Sequence, residues 1–574
     1  MGIFTSFNVG RLALSARQTA LQVAGQNIAN ANAEGYSRQR VMFETTPPMD
    51  LGYAHIGTGV RVADIQRMVD MALEGRLNTA AATLGGMQAQ QELLSRLEAI
   101  FNELSDSDLS TATNKFFDSL ETLTTRPDDA SVRQELPANA DALSDSFNNM
   151  AGQMNSAREN VNDSIKLAVE DINGILQNIA DLNKQIVMAE AGGADLGKAN
   201  DLRDKRGALL TQLSGLLEVR ATESSDGSLN IMAGSDFLVF EDDAFTLTTS
   251  EHMDRGVLVS TVEFELNGAE LAINGGKLEG LVAARDQILP EFVDDISTLA
   301  STLIYQMNRL HSEGQGLDRL SSVTSEEELS GPTAALNAAG LYYTPVNGSF
   351  NIDVYNQNTG EKKTVNVTVD LDGIGTDTTL EGLVAEINSK LSAEFGGSSP
   401  VSAEASITNR LTIESDSANF TFAFSNDSSG LLAAMGMNNF FSGHDALTMQ
   451  VSQAPRDNPD LIAASFTGAP GDNGNALRLA GLRNATVFDN GSATFSDFYQ
   501  GVVGSLAVQS AAATDRLDNQ SLLLTSMQNE RQRISGVNID EETINLISCQ
   551  RAYQAAAKFI SIIDSLLETL INAT

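Results

Sequence analysis

Both ends of the chain carry apolar residues on a seven-residue cycle, and a helix with that period needs a helical partner. Phe7, Leu14, Leu21 and Ile28 recur every seven residues near the N-terminus. At the other end Leu546, Cys549, Tyr553, Ala556, Ile560, Ile563, Leu567 and Leu570 follow a strict three-four alternation. Such spacing lays one apolar seam along each helix, and a seam is stable only when another helix covers it. The charges at the two ends are complementary. Residues 1–40 carry Arg11, Arg17, Arg38 and Arg40 against Glu34, a surplus of three positive charges. Residues 535–574 carry Arg551 and Lys558 against Asp540, Glu541, Glu542, Asp564 and Glu568, a surplus of three negative charges. The pattern predicts a coiled coil built from the two termini, with everything else looped out between them. Pairing between copies fits the same pattern.

At 574 residues the chain has room for three or four domains. Its 36 basic and 75 acidic residues leave a net charge of −39, which repels nucleic acid and anionic membranes, so neither is an expected partner. The lone cysteine, Cys549, has no intramolecular disulfide partner and reads as a small seam residue. No stretch approaches the ~20 apolar residues of a membrane span. Arg11 and Arg17 interrupt any signal-peptide core, and Gln and Asn dominate 18–32. If the protein leaves the cell, it is expected to do so without a cleaved signal peptide.

Along the chain, the first helix is expected to end near Asn30–Asn32, before an extended segment over 36–62. A helix is expected over about 63–104, with Gly85–Gly86 as a possible break, and a shorter one over 109–124. The longest is expected over 139–191, roughly 75 Å at 1.5 Å per residue. Its seam runs Leu143, Phe147, Met150, Met154, Ala157, Val161, then Ile165, Ala168, Ile172, Ile175, Ile179, Leu182, Ile186 and Ala189. The step of four at Val161–Ile165 is a stutter. Another helix follows at 204–219. From Gly227 the period switches to two, giving short strands through Leu266. Helix resumes over 278–311, strands and one helix (380–395) fill about 340–450, and long helices close the chain at 494–533 and 541–572. The fold class is multidomain α+β: a terminal α-helical coiled coil and a long-helix bundle domain with inserted β-rich domains. The expected divisions are 1–62 with 535–574, 63–225 with 276–330 and 455–534, a small β subdomain at 226–275, and an inserted α+β domain at 331–454.

Motifs that carry chemistry are thin. Gly192, Gly197 and Lys198 begin a phosphate loop, but Ala199 stands where a hydroxyl must reach magnesium. Asp370, Asp372, Gly375 and Glu381 fit four positions of a calcium loop, with Ile374 at a ligand position. Thr378 and Glu381 also make a capping box for the next helix. His55, His252, His311 and His444 lie far apart in sequence, with no HExxH pair. The expectation is no enzyme, no cofactor and no metal.

The ends also carry longer motifs. At the N-terminus Leu21-Gln22-Val23-Ala24-Gly25-Gln26-Asn27-Ile28-Ala29-Asn30-Ala31-Asn32 is followed by Gly35-Tyr36-Ser37-Arg38-Gln39. At the C-terminus Ser535-Gly536-Val537-Asn538-Ile539-Asp540-Glu541-Glu542 is followed by Asn545-Leu546-Ile547 and by 550–558, Gln-Arg-Ala-Tyr-Gln-Ala-Ala-Ala-Lys. With 276–286, 437–443 and 471–477, these blocks resemble the flagellar axial proteins, most closely the hook-associated protein 1 family. One departure is Ala33-Glu34, where the family usually has Thr-Pro. The resemblance implies a structural subunit, exported unfolded through the flagellar type III apparatus and located outside the cell on the bacterial flagellum. It implies a ring of copies at the distal hook end, joining hook to filament through the terminal helices. The implied partners are further copies of the chain, the hook protein, the second junction protein and a chaperone for the C-terminal region. Within that frame Gln22, Gln26, Asn27 and Asn30 are either solvated or hydrogen-bonded between subunits around a channel. The alternatives are another axial subunit, such as hook protein or flagellin, and, in a different class, a secreted adhesin or a flagellum-borne enzyme with its site in the β insert.

Overall fold

A computed structural model describes residues 3–33, 35–50, 55–101, 108–191 and 199–572. Glu34, the phosphate-loop residues Gly192, Gly197 and Lys198, and the side chain of Leu570 lie outside the described residues. The helices, in chain order, begin with α1 (Ile3–Ala29), α2 (Met71–Phe101), α3 (Leu109–Thr125), α4 (Ala130–Glu190), α5 (Asn200–Leu216), α6 (Gly276–Ala283) and α7 (Leu289–Ser312). They continue with α8 (Leu380–Phe395), α9 (Leu431–Met435), α10 (Gln453–Asp457), α11 (Gly474–Gly481), α12 (Phe495–Ser535) and α13 (Ile539–Asn572). Small antiparallel sheets interrupt them, and the whole is a multidomain α+β fold. Among the described residues no helix is long and apolar enough to cross a membrane.

The chain divides into two compact units. The first comprises Met1–Leu94, Arg158–Gln287 and Ser510–Thr574. In it α1 packs on α13, and strand Gln39–Thr45 pairs with Val60–Arg67, Val41 opposite Ile65. The helix expected from residue 63 therefore starts later, at Met71. Val60, Val62 and Ile65 instead lie in an eight-residue strand, where partner pairing outweighs helical propensity. Gly85 and Gly86 do not break α2. A Cβ at Gly85 would strike the Gly215 carbonyl, and one at Gly280 would strike the Gly86 carbonyl. These glycines let α2 approach α5 and α6 at backbone distance. Two buried arginine clusters bind the β-strands to the C-terminal half of α4. Arg206 donates to Asn183 Oδ1 and the Gly227 carbonyl, both near 2.8 Å, and its burial pulls its pKa down to about 10. Arg285 donates to Asn162 Oδ1 at 2.8 Å and the Ser260 carbonyl at 2.6 Å.

The second unit comprises Ser95–Ala157 and Ile288–Gln509. Phe116 and Phe117 of α3, Phe147 of α4 and Phe292 of α7 are buried, with Phe440 and Phe441 against Phe116. Helix α4 begins at Ala130, ahead of the expected start, and contains Pro137. Val132, Leu136 and Ala140 share a buried face there. Their burial outweighs the hydrogen bond that the proline cannot make. The expected seam of α4 is buried from Leu143 to Ile172. Beyond that the buried line moves to Leu176, Ile179, Asn183 and Ile186, while Ile175 and Leu182 are half-buried and Ala189 is exposed. A straight helix drifts ~20° per heptad, which carries a strict repeat off the contact face. In the 340–450 region Lys362–Val369, Gly348–Asn356 and Phe420–Ser425 form one sheet, with Ile352 between Val365 and Phe424. Ser322–Thr324, Leu411–Ser415 and Val401–Ala405 form a second. Helix α8 packs against both Lys362–Val369 and Val401–Ala405. Its N-cap is Thr379, whose hydroxyl accepts from Gly382 N at 3.1 Å, one residue past the capping box expected at Thr378 and Glu381. The Thr378 hydroxyl instead accepts from Asp370 N.

His311 is buried in this unit. Its Nε2 accepts from the Ala463 N–H at 3.0 Å, so the proton sits on Nδ1 and is donated to the Asn438 carbonyl at 2.8 Å. Burial lowers its pKa from 6.5 to about 4. The unfolded chain therefore binds more protons between those values, and stability falls as pH drops from 6.5 to about 4, by up to about 1.4 kcal/mol per unit. A His311→Gln variant lacks that slope. Its stability deficit against wild type should shrink by about 2 kcal/mol between about pH 7 and about pH 4.5 in urea unfolding. Parallel pH curves for the two proteins would show that the histidine is not held neutral.

Candidate assembly surface at the paired termini

Helices α1 and α13 run antiparallel. Gly10 of α1 faces Ile560 and Phe559, and a Cβ there would sit 2.8 and 3.0 Å from their side chains. At the other end Asn27 bonds to Glu542. The buried line of α1 is Gly10, Ala16, Ala20, Val23, Ala24 and Asn27. The expected seam residues Leu14, Leu21 and Ile28 are only half-buried beside it, and Phe7 is 36% exposed. Small side chains occupy the centre of the contact because they let the axes come close, and the large ones flank it. On α13, Leu546, Cys549, Tyr553, Ala556, Ile560 and Leu567 are half-buried and Ile563 is buried. Glu542 is the other buried residue of α13 among those described, at 3% exposure.

A carboxylate buried to that degree must be paired and hydrogen-bonded. Arg38 Nε donates to Glu542 Oε1 at 2.8 Å, and Asn27 Nδ2 donates to Glu542 Oε2 at 3.2 Å. Asn27 Nδ2 also donates to the Gln39 carbonyl at 2.9 Å. Its Oδ1 accepts from Gln39 N at 3.0 Å and from the Tyr36 hydroxyl at 2.8 Å. The same short segment reaches α5. Ser37 N donates to Asp204 Oδ2 at 3.1 Å, Gln39 Nε2 donates to Asp201 Oδ1 at 3.2 Å, and Arg67 pairs with Asp204 at 2.9 Å. Burial, with Asp201 nearby, pushes the Tyr36 pKa up to about 12. Of the polar residues of α1, Asn27 is committed to this knot and Gln26 donates to Asp201 at 3.2 Å. Asn30 is half-buried and Gln22 exposed.

Sequence reasoning missed a second apolar row. Ile544, Ile547, Phe559, Ile562 and Leu566 are between 41% and 67% exposed. At 100° per residue Ile544, Ile547 and Ile562 lie more than about 120° from the seam, whereas Leu566 and Phe559 flank it and Phe559 also faces Gly10 of α1. Beside the knot, α1, α13 and strand Gln39–Thr45 enclose a groove of about 450 Å³, lined among others by Arg17, Ala24, Arg38, Arg40 and Cys549.

Elsewhere the described residues offer little chemistry. Their one cluster of three metal-capable side chains is Asp370, Asp372 and Asp377. Glu381, the expected last ligand, lies instead in the first turn of α8. Asp377 and Asp372 already accept from the Gly373 and Ile374 amides, and two of the three carboxylates are exposed. We assign no metal there.

The knot makes a quantitative demand. Glu542→Ala leaves the Arg38 guanidinium with Glu541 at 3.2 Å but strands its Nε donor and one Asn27 donor, and should destabilise the first unit by about 1–3 kcal/mol. Adding Arg38→Met should cost less than the sum of the single changes, because the two groups act on each other. Urea unfolding of the four proteins reads the coupling, and strict additivity would show that the pair is not an energetic unit.

Three family models match the chain: the flagellar hook-associated protein FlgK helical domain over residues 94–322, the flagellar basal body rod FlgEFG protein C-terminal over 528–573, and the flagella basal body rod protein over 7–36. Flagellar hook-associated protein 1 of Bacillus subtilis is 26% identical, covering 99% of this chain and 98% of its own length. That of Escherichia coli is 25% identical over 97% of this chain and 98% of its own. The solved structure of the flagellar hook junction protein FlgK from Burkholderia pseudomallei matches with a TM-score of 0.50 and 17% identity, covering 80% of this chain and 100% of that one, which shows a shared fold. With the terminal motif blocks and family matches spanning both ends and the helical middle, the chain belongs to the flagellar hook-associated protein 1 family of bacterial flagellar proteins.

Proposed function

We propose that the chain is a structural, non-enzymatic subunit that joins the flagellar hook to the filament, assembling as a ring at the distal hook end through its terminal helices. The observation that carries this reading is the pair of apolar faces on α13. One face is used inside the chain against α1. The other, carrying Ile544, Ile547 and Ile562, is exposed to solvent. A helix that spends one seam on its own N-terminal partner and keeps a second apolar row exposed is built to be packed again by neighbours. In this reading Leu546, Cys549, Tyr553, Ala556, Ile560, Ile563, Leu567 and Leu570, with Phe7, Leu14, Leu21 and Ile28, hold together the rod that copies share. The hook protein and the second junction protein are its neighbours along the axis. A free chain that exposes such a row needs cover before assembly, which is the role of an export chaperone on the C-terminal region. In this reading the subunit's place is outside the cell, on the flagellum.

The exposed row separates folding from assembly. Ile547→Asp with Ile562→Asp changes only solvated positions, so the monomer's unfolding free energy should stay within about 0.5 kcal/mol of wild type. Incorporation at hook ends, scored by electron microscopy with the subunit labelled, should be lost and the cells should not swim. Ile563→Asp should fail in both assays, because it buries an unpaired charge. Full filaments on cells carrying the Ile547/Ile562 variant would overturn the reading, and label along the length of the hook or filament would replace it with another axial subunit.

A further inference from the structure

We propose that the groove beside the knot receives the acidic last turns of α13 from a second copy, so that copies meet head to tail. This rests on the terminal-helix assembly proposed above and names the contact. The groove's wall is basic on a chain that is strongly acidic. Arg17, Arg38 and Arg40 line it, and Glu542 is the one carboxylate among its lining residues. Glu542 is already paired with Arg38. The Arg17 guanidinium lies over the Phe43 ring at 4.9 Å, Arg40 is exposed, and neither has an ion-pair partner among the described residues. Two uncompensated cations in a concave site, on a protein of net charge −39, select for a negative segment and against most of the protein's own surface.

The far end of α13 supplies such a segment. Asp564 and Glu568, four residues apart, share one face of the helix, are exposed, and have no ion-pair partner among the described residues. Carbonyls at a helix C-terminus add partial negative charge beside them. The chain cannot fill its own groove with these residues. The groove lies at the end of α1 and the start of α13, with Cys549 in its wall. Asp564 is 15 residues further on, about 22 Å along a straight helix. Antiparallel pairing places it beside the start of α1, at the opposite end of the same two-helix rod. The two complementary surfaces are therefore different patches at opposite ends of one rod. Such heterologous contacts close into rings or propagate as helices, and do not stop at a dimer.

Cys549 is a built-in reporter. In a full-length Ser561→Cys variant the two thiols are 12 residues apart on one helix, about 18 Å, too far for a disulfide within one chain. Mild oxidation of flagella carrying this variant should give a ladder of linked copies, absent when Cys549→Ser is added. Separately, Arg17→Glu with Arg40→Glu should cut incorporation at hook ends by about tenfold or more. Adding Asp564→Arg and Glu568→Arg to the same chain should restore it, since every copy then carries a swapped groove and a swapped tail. Incorporated Ser561→Cys subunits that give no ladder, a charge-reversed groove that assembles normally, or linkage of Cys549 to a different protein would each overturn the proposal. If the Ile547/Ile562 variant still fails to assemble in that case, the terminal-helix reading stands and only the head-to-tail contact falls. If that variant also assembles, both fall.

Discussion

The buried carboxylate of Glu542 is the point on which the terminal region depends. Arg38 and Asn27 both bond to it, and Asn27 in turn holds the backbone of Gln39 in both directions. One side chain on the last helix thus fixes the exit of the first helix and the start of the hairpin that follows. The hairpin segment then reaches α5 through Ser37, Gln39 and Arg67. Remove the carboxylate and three elements lose a shared anchor. The apolar seam alone does not supply that anchor, because most α13 seam residues are only half-buried.

That incomplete burial has a consequence for the folded chain. Two helices side by side cover one face of each other and leave the rest of each surface for other neighbours. The α1–α13 pair therefore carries apolar area it cannot hide, on α13 above all. In an isolated monomer this area costs solubility, which the large net negative charge offsets. In an assembly the same area becomes contact surface. The groove arginines fit this division, since positive charge kept unpaired on an acidic chain discourages contact with most surfaces and favours a few.

The elements that were legible in the sequence are those with a local period. The strands from Leu229 to Phe264, the insert strands and α8 all follow runs that a window of ten residues contains. The misses were of two kinds. Where small residues make the contact, apolar counting picks the wrong stripe: Gly10, Ala16, Ala20 and Ala24 line the helix pair, while Phe7, Leu14, Leu21 and Ile28 flank it. Spacing of small residues was the available signal. Where a contact joins distant segments, no local signal exists. Asn27 and Glu542 are 515 positions apart, and nothing near either residue announces the other. The same holds for Gly86 and Gly280, whose close approach makes a helix crossing out of what reads as a helix break. Pro137 reads as a boundary for the same reason, since the buried face that carries α4 through it comes from tertiary packing.

A polar knot at one end of an assembly rod is a poor choice if stability is the aim, since a buried ion pair is often no better than apolar packing of the same volume. Its advantage is register. A heptad seam looks alike after a slip of seven residues, and such a slip moves one helix about 10 Å along the other. Gly10 against Ile560 already resists such a slip, which would bring Arg17 into the glycine's place, and the slip has a second cost. For a rod whose two ends must both fit neighbours, it displaces the exposed row of α13 relative to the groove and prevents either from engaging. Glu542 admits no slip, because only one position on the opposing segment brings Asn27 and Arg38 to it together. The knot and the Gly10 contact therefore fix the register of the pair from its two ends, and with it the length between the two assembly surfaces, as single buried polar residues do in coiled coils.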